Sequence, residues 1–383
     1  MPMRIGIDAR WIFEQISGIG TYTHELIRHL AQIDRNNEYV LFFDNDAMMH
    51  RVSQATHLTL APNFRTELLP FGIFSVRGQL QLPSVFRRLN LDVFHSPNYM
   101  IPLRAFPRNR PGRPRCVVTI HDLIPLIFPQ HTPKALKSRF FPVYRRLMAE
   151  VAARADVILT VSNSSRKDVI EQFRILAPRQ DDVIAVPNGV APEYVAVVKP
   201  PRAPKTILYV GRFDPYKNVP KLMEAFARLR QIASFDVRLK VVGPPDPRYP
   251  EGQRRAKELG LDPWIDWAGY AADGALVTAY QQADLFVLLS KYEGFGLTLL
   301  EAMACGTPVV CSNRSSLPEV AGDAALLVDP DDTEAAAQAM ARALSDDALR
   351  ADLRAKGLKQ AMKFTWTRTA AMTMKAYEQA VAL

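Results

Sequence analysis

The chain is poor in cysteine, with Cys116, Cys305 and Cys311 the only three in 383 residues. Their odd number and wide spacing exclude a disulfide-stapled scaffold and a cysteine-built zinc site. No apolar run approaches the ~20 residues that a helix needs to cross a bilayer. The opening stretch, Met1-Pro2-Met3-Arg4-Ile5-Gly6-Ile7-Asp8, passes directly into a strand-like pattern. That leaves no place for a signal peptide and makes the cytoplasm the expected location. Repeats of solenoid period and low-complexity segments are also lacking. What is there, 48% hydrophobic and 23% charged residues, is the balance of a globular protein. The length suffices for two domains with separate cores.

Acidic residues are scarce in the first half. The net charge is +9, and nearly all of it falls in residues 1–200. Positive charge is densest at Arg104, Arg108, Arg110, Arg113 and Arg115, followed by Lys134, Lys137, Arg139, Arg145 and Arg146. The plain reading is a solvated surface with a sign bias. The functional reading is a face that attracts phosphates, on nucleic acid or on anionic lipid. No nucleic-acid-binding motif accompanies the charge, which argues against nucleic acid as a partner.

Short apolar runs alternate with helical periodicity on both sides of a midpoint. Strands are expected at Arg4–Ile7, Tyr39–Phe43, Val93–His95, Val117–Ile120 and Val157–Thr160, and helices at Gly20–Ile33, Lys134–Ala153 and Ser164–Phe173. After the proline-rich Val197-Val198-Lys199-Pro200-Pro201-Arg202-Ala203-Pro204 the alternation restarts. Strands follow at Ile207–Val210, Leu239–Val242, Ile265–Trp267, Leu285–Leu288, Val309–Val310 and Leu326–Val328. Two β-α-β series imply an α/β protein of two parallel-sheet domains, at 1–195 and 204–365, with a helical tail. Ligands of such domains bind beyond the carboxyl ends of the strands, here the cleft where the two domains face each other.

The most specific segment is Glu293-Gly294-Phe295-Gly296-Leu297-Thr298-Leu299-Leu300-Glu301. It follows an apolar run and opens a helical stretch. Glycines let the backbone approach a ligand closely, and the N–H groups of a first helical turn favour anions. Glu301, one turn into the helix, is placed to accept hydrogen bonds from a ribose diol. Glu293, on the turn, can reach hydroxyls beyond the phosphates. The segment is shaped for a nucleotide-sugar.

This spacing resembles the E-x7-E signature of retaining glycosyltransferases of the GT-B fold (family 4, group 1). Within that family the bacterial mannosyltransferases that build surface polysaccharides, including lipopolysaccharide, are most similar. Four further segments agree in order: Gly18-Ile19-Gly20-Thr21-Tyr22, His121-Asp122-Leu123, Pro187-Asn188-Gly189-Val190 and Gly211-Arg212-Phe213-Asp214-Pro215-Tyr216-Lys217-Asn218. The similarity runs from about residue 4 to the C-terminus. It implies two Rossmann-like domains, the first for the acceptor and the second for the nucleotide-sugar, with helix 366–383 packing back on the first. It implies a metal-independent transfer of a hexose, in the first instance mannose from GDP-mannose, to a saccharide or polyprenyl-diphosphate-linked acceptor. A peripheral seat on the anionic inner face of the cell membrane would suit the basic half. UDP-sugar or rhamnosyl donors stay open, as do an epimerase on the same architecture and a non-catalytic binding protein.

Each candidate residue has a place in that scheme. Arg212 and Lys217 follow a strand and would neutralise the diphosphate, one as a planar fork and one as a point charge. By similarity His121 lies against the transferred sugar. Gly18, Ile19 and Gly20 suit a backbone that closes over the diphosphate; Thr23 breaks the G-x-G-x-x-G pattern of a dinucleotide site. By resemblance the backbone at Ala268–Tyr270, with Gly269 and Tyr270, contacts the nucleobase. Gly294, Phe295, Gly296 and Leu297 would hold the phosphate turn. Asp8 and Arg10 touch the acceptor or pair with each other. Asp44-Asn45-Asp46 has the D-x-D form of a metal site in the other main glycosyltransferase architecture, but such triplets are ordinary turn chemistry and no metal is expected. Cys305, Cys311, Trp264 and Trp267 read as core.

Overall fold

The computed structural model describes residues 2–14, 18–108, 112–129, 140–198, 203–271 and 273–383. The described residues within Met1–Leu123, Phe140–Gly189 and Thr365–Leu383 form one compact unit. Those within Ile124–Arg139 and Val190–Phe364 form a second. Both are Rossmann-like, with helices around an all-parallel sheet.

The first unit has seven strands: β1 (Arg4–Asp8), β2 (Glu38–Phe43), β3 (Phe64–Leu68), β4 (Val93–Ser96), β5 (Arg115–Ile120), β6 (Val157–Thr160) and β7 (Val183–Ala185). Their order across the sheet is β3-β2-β1-β4-β5-β6-β7. The second unit has β8 (Lys205–Val210), β9 (Val237–Val242), β10 (Ile265–Gly269), β11 (Leu285–Leu288), β12 (Val309–Ser312) and β13 (Ala325–Val328). They run in the order β10-β9-β8-β11-β12-β13. Central strands such as β4, β6 and β11 are buried along their whole length. Helices on both faces of a parallel sheet require this, and it is why these strands read as unbroken apolar runs. In each sheet the strand order reverses once, between β1 and β4 and between β8 and β11. These are the switch points where open α/β sheets leave a crevice.

The last helix, Trp366–Ala382, completes the first unit by packing along helix Gly18–Ile33. Trp366 lies with its ring 6.2 Å from Tyr22, and Thr369 donates to the Pro187 carbonyl at 2.6 Å. Gly189 makes the close approach possible, since a Cβ there would lie 2.1 Å from the Trp366 amide nitrogen. Along the chain the divide falls between Gly189 and Val190. Val195 and Val197 are tied to the second unit through Gln281 and Arg354. Residues 199–202 of the proline-rich stretch lie outside the described residues.

Several elements differ from the sequence-based expectation. Strands β3 and β7 were not expected, nor were helices Asp46–Ala55 and Val76–Arg88. The expected helix Lys134–Ala153 is described as Phe141–Arg154; residues 130–139 lie outside the described residues, and with them Lys134, Lys137 and Arg139. Trp264 and Trp267 are half-buried, not core. The Arg230 guanidinium covers the Trp264 ring at 3.3 Å, and Trp267 stands 6.0 Å from Phe213. All three cysteines are buried thiols.

The basic stretch is partly neutralised at home. Arg108 pairs with Glu150 at 2.8 Å, Arg113 with Asp92, and Arg115 with Asp156 at 3.1 Å. Arg104, Arg145 and Arg146 are exposed, and Arg110 lies outside the described residues. Among the described residues no helix is long and apolar enough to cross a membrane.

Candidate functional site

The carboxyl ends of β8, β9 and β10 are knitted together by glycines. Gly211 donates to the Val242 carbonyl at 2.9 Å and Gly243 to the Gly269 carbonyl at 2.8 Å. A Cβ on Gly243 would lie 2.0 Å from the Gly211 oxygen, so a side chain there would force the strand ends apart. Beyond this ledge Tyr270 is exposed. Gly269 has a φ of 67°, in the left-handed region that favours glycine.

The loop after β8 carries both expected cations, in different settings. Arg212 is exposed, with Nε 2.8 Å from Asp214 Oδ2. Its carbonyl accepts from the Tyr209 hydroxyl at 2.7 Å; burial pushes that phenol's pKa well up. Lys217 closes the 3-10 turn Pro215–Lys217. Asn218 then takes a left-handed conformation with φ 59° and donates its amide to the Pro330 carbonyl at 2.7 Å. This turn aims Lys217 across the switch point, where the Lys291 amide also donates to the Tyr216 carbonyl at 2.7 Å.

Glu293 receives that cation. Lys217 Nζ lies 2.7 Å from Oε1 and 2.9 Å from Oε2 of Glu293, with the two side chains 14% and 11% exposed. Ser290 donates its hydroxyl to Oε1 at 2.6 Å. The Glu293 backbone is held as well, its N–H by the Ser315 hydroxyl at 2.8 Å and its carbonyl by Ser316 at 2.9 Å. Ser316 also donates to the Phe295 carbonyl.

After Glu293 the chain passes Gly294 and Phe295, and Gly296 turns it at φ 103° into helix Leu297–Ala304. Its N-cap residue, Gly296, has no side chain with which to cap the first turn. One turn on, Glu301 Oε2 accepts from the Tyr280 hydroxyl at 2.8 Å. Tyr280 is wholly buried, which raises its pKa well above the ordinary value. The second unit thus brings Arg212, Lys217, Glu293, the Gly294–Leu297 turn, Glu301, Gly269 and Tyr270 to the carboxyl edge of one sheet. Sequence reasoning missed the holding residues Asp214, Ser290, Ser315, Ser316 and Tyr280. Ser315-Ser316 directly before helix Leu317–Ala321 is a helix-start signal that could have drawn attention.

The remaining candidates belong to the first unit. Gly18, Ile19 and Gly20 open helix Gly18–Ile33 after β1; residues 15–17 lie outside the described residues. His121 follows β5, its Nε2 2.9 Å from the Pro97 carbonyl and its own carbonyl accepting from Ser165 at 3.1 Å. The Tyr22 ring stands edge-on at 4.8 Å. Burial lowers the imidazole's pKa, against an opposing effect of the Pro97 hydrogen bond and Asp122. Asp8 and Arg10 pair with each other in a doubly bonded, nearly solvent-free bridge of 2.7 Å contacts. The Asp44-Asn45-Asp46 triplet does turn chemistry: Asn45 Oδ1 accepts from the Met48 amide at 3.0 Å and caps helix Asp46–Ala55.

Comparison with known proteins follows this division. A family model described as "Glycosyl transferases group 1" matches residues 191–360. One described as "Glycosyltransferase Family 4" matches residues 16–194. The O-antigen chain mannosyltransferase B of Escherichia coli is 30% identical over 399 aligned positions, covering 95% of this chain and 96% of that protein. Among solved structures, a sucrose-phosphate synthase from Thermosynechococcus elongatus superposes with a TM-score of 0.74 at 22% identity, covering 99% of both chains. The Anabaena protein HepE, solved in complex with UDP-glucose, gives 0.73 at 18% identity, over 97% of this chain and 98% of that one.

Proposed function

The chain belongs to the group 1, family 4 glycosyltransferases of the GT-B fold, and from that premise we propose that it transfers mannose from GDP-mannose, with retention of configuration and without a metal, onto a saccharide or lipid-linked saccharide during surface-polysaccharide synthesis. The observation that carries the donor half of this reading is the convergence of Lys217, Arg212, Glu293 and the glycine-started helix Leu297–Ala304 at the β8/β11 switch point. The mannosyl assignment draws on the similarity to the O-antigen chain mannosyltransferase B over nearly both full lengths.

In this reading the diphosphate lies on the first turn of helix Leu297–Ala304, where backbone N–H groups and the helix dipole favour anions. Arg212 and Lys217 oppose the charge that develops on the β-phosphate as the sugar departs. Glu301 takes the ribose hydroxyls, and the backbone at Gly269 and Tyr270 meets the base. Glu293 holds the hydroxyls of the transferred sugar, and His121 acts on that sugar. No carboxylate attacks carbon. The acceptor enters on the side the diphosphate leaves, the departing phosphate takes its proton, and the transition state is oxocarbenium-like.

The testing experiment is a thermal-shift panel of GDP, UDP, dTDP, ADP and their sugar conjugates, with and without excess chelator. Selective stabilisation by GDP and GDP-mannose in chelator is expected. Selectivity for UDP or dTDP would move the donor to a UDP-sugar or rhamnosyl donor. Turnover of a nucleotide-sugar with no acceptor present would favour an epimerase. Loss of the response in chelator would overturn the metal-free mechanism.

A further inference from the structure

In the first unit the switch point lies between β1 and β4, and the loops leaving these two strands are aromatic. Trp11 follows β1 and Tyr99 follows β4, their rings 5.9 Å apart. Phe13 and Phe74 stand edge-on to Trp11 at 6.4 and 5.7 Å. Both are solvent-exposed, Phe13 by 47% and Phe74 by 62%, while Trp11 beneath them is only 4% exposed. Large aromatics left in water beside a buried indole are a cost to the free protein unless something covers them.

A second, independent feature sits in the same cluster. The Trp11 Nε1–H is buried and has no hydrogen-bond partner. Buried indole N–H groups almost always have one. The loop that carries Phe74 is also rigidly held from below. Arg10, locked by Asp8, donates to the Phe71 carbonyl at 3.2 Å. Asp44 stands beside this loop, its Oδ2 3.4 Å from where a Cβ on Gly72, two residues before Phe74, would lie. Exposed aromatic rings over one buried, unpartnered donor, with a carboxylate nearby, match a pyranose ring, whose C–H face is apolar and whose rim is hydroxyl.

We propose that the exposed rings of Phe13 and Phe74, standing edge-on to the buried Trp11 with Tyr99 beside it, form an apolar seat for a sugar ring of the acceptor glycan, with the Trp11 N–H donating to a hydroxyl oxygen and Asp44 accepting from a hydroxyl. This rests on the transferase reading above and sharpens it: the acceptor is gripped through a neutral sugar ring rather than through the basic stretch. The buried Asp8–Arg10 pair supports the seat and does not itself touch the acceptor.

The test uses α-linked mannotriose as probe, read by saturation-transfer NMR and by titration of the full chain. Wild type, Phe74→Ala and Trp11→Phe are compared, with GDP affinity and melting temperature measured on the same samples. Phe74→Ala removes an exposed ring, so it should fold and bind GDP as wild type does while mannotriose affinity falls by about tenfold. Trp11→Phe keeps a ring but loses the donor, and should weaken binding by several-fold. Wild-type affinity in Phe74→Ala, or no mannotriose binding by the wild type, would overturn the seat. Loss of binding to phosphatidylglycerol vesicles in Phe74→Ala with mannotriose affinity intact would overturn it too, and assign the face to membrane. Failure of the wild type to respond to any nucleotide would instead strike the transferase reading, and leaves the saccharide titration readable on its own.

Discussion

Lys217 and Glu293 stand 76 residues apart in sequence and form a bidentate ion pair of 2.7 and 2.9 Å that bridges the loops after β8 and β11. The pair is nearly out of solvent, so it is held by geometry and by the Ser290 hydroxyl rather than by charge alone. It also fixes the cation at the switch point, which on the proposed function would lower the ordering cost of binding a diphosphate.

Removing Lys217 therefore has two effects. Lys217→Ala leaves Glu293 buried with Ser290 as its remaining side-chain donor, and breaking a buried pair from one side costs about 3 kcal/mol. A drop of several degrees in melting temperature and a loss of nucleotide affinity are both expected. Replacing the pair together, with Lys217→Met and Glu293→Gln, should recover much of the stability and none of the activity. Calorimetry and nucleotide titration on the three variants check this.

Arg212 should separate the two effects. Its side chain is exposed and its partner Asp214 sits beside it in sequence, so Arg212→Ala should change stability by less than ~1 kcal/mol. Loss of one charge-assisted contact to the diphosphate should still cost roughly 1.5–3 kcal/mol of nucleotide binding. Equal melting temperatures with a tenfold or greater rise in the nucleotide Kd are the expected pattern.

Gly296 turns the chain into helix Leu297–Ala304, the proposed phosphate site, at φ 103°. A Cβ there would meet Leu317 at 2.8 Å. Gly296→Ala should cost about 1–3 kcal/mol through backbone strain and should weaken nucleotide binding by displacing the helix start. Thermal melts in the presence and absence of GDP distinguish the two losses.

A buried polar chain in the first unit gives a pH signature. His95 contacts the Tyr377 hydroxyl at 2.7 Å and Thr119 at 2.9 Å, and Thr119 contacts the Tyr22 hydroxyl at 3.0 Å. Burial lowers the His95 pKa from 6.5 to about 3. Between those values the unfolded chain binds a proton that the native state refuses, so stability falls as pH drops from about 6.5 toward 3. His95→Gln should flatten that slope in urea midpoints measured from pH 7 to pH 4. An unchanged slope would show that other groups dominate it.

The central strands were legible because both faces of a parallel sheet are buried, which leaves unbroken apolar runs such as Leu285–Leu288 and Val157–Thr160. Edge strand β3 was not. Its middle residues, Arg65, Thr66 and Glu67, are solvent-facing to half-buried, so no run marks it. Strand β7 is three residues long. Helix Val76–Arg88 carries Pro83 inside it, which reads as a break. The Glu293–Glu301 turn was legible as a strand–glycine–helix junction because its glycines and glutamates lie within nine residues. The Lys217–Glu293 pair was hidden because sequence places two opposite charges at one switch point without saying that they meet. Trp264 and Trp267 were misread because tryptophans at and beside a strand suggest core, whereas an arginine on the neighbouring helix supplies the cover for Trp264.

The measurement that tests the account most directly is transfer from GDP-mannose labelled with carbon-13 at C1, with α-mannotriose as acceptor, followed by NMR of the product. An α-linked tetrasaccharide, formed by the wild type and absent with Lys217→Ala, is the expected result. A β-linked product would contradict retention, and no transfer from GDP-mannose beside transfer from another nucleotide-sugar would contradict the donor.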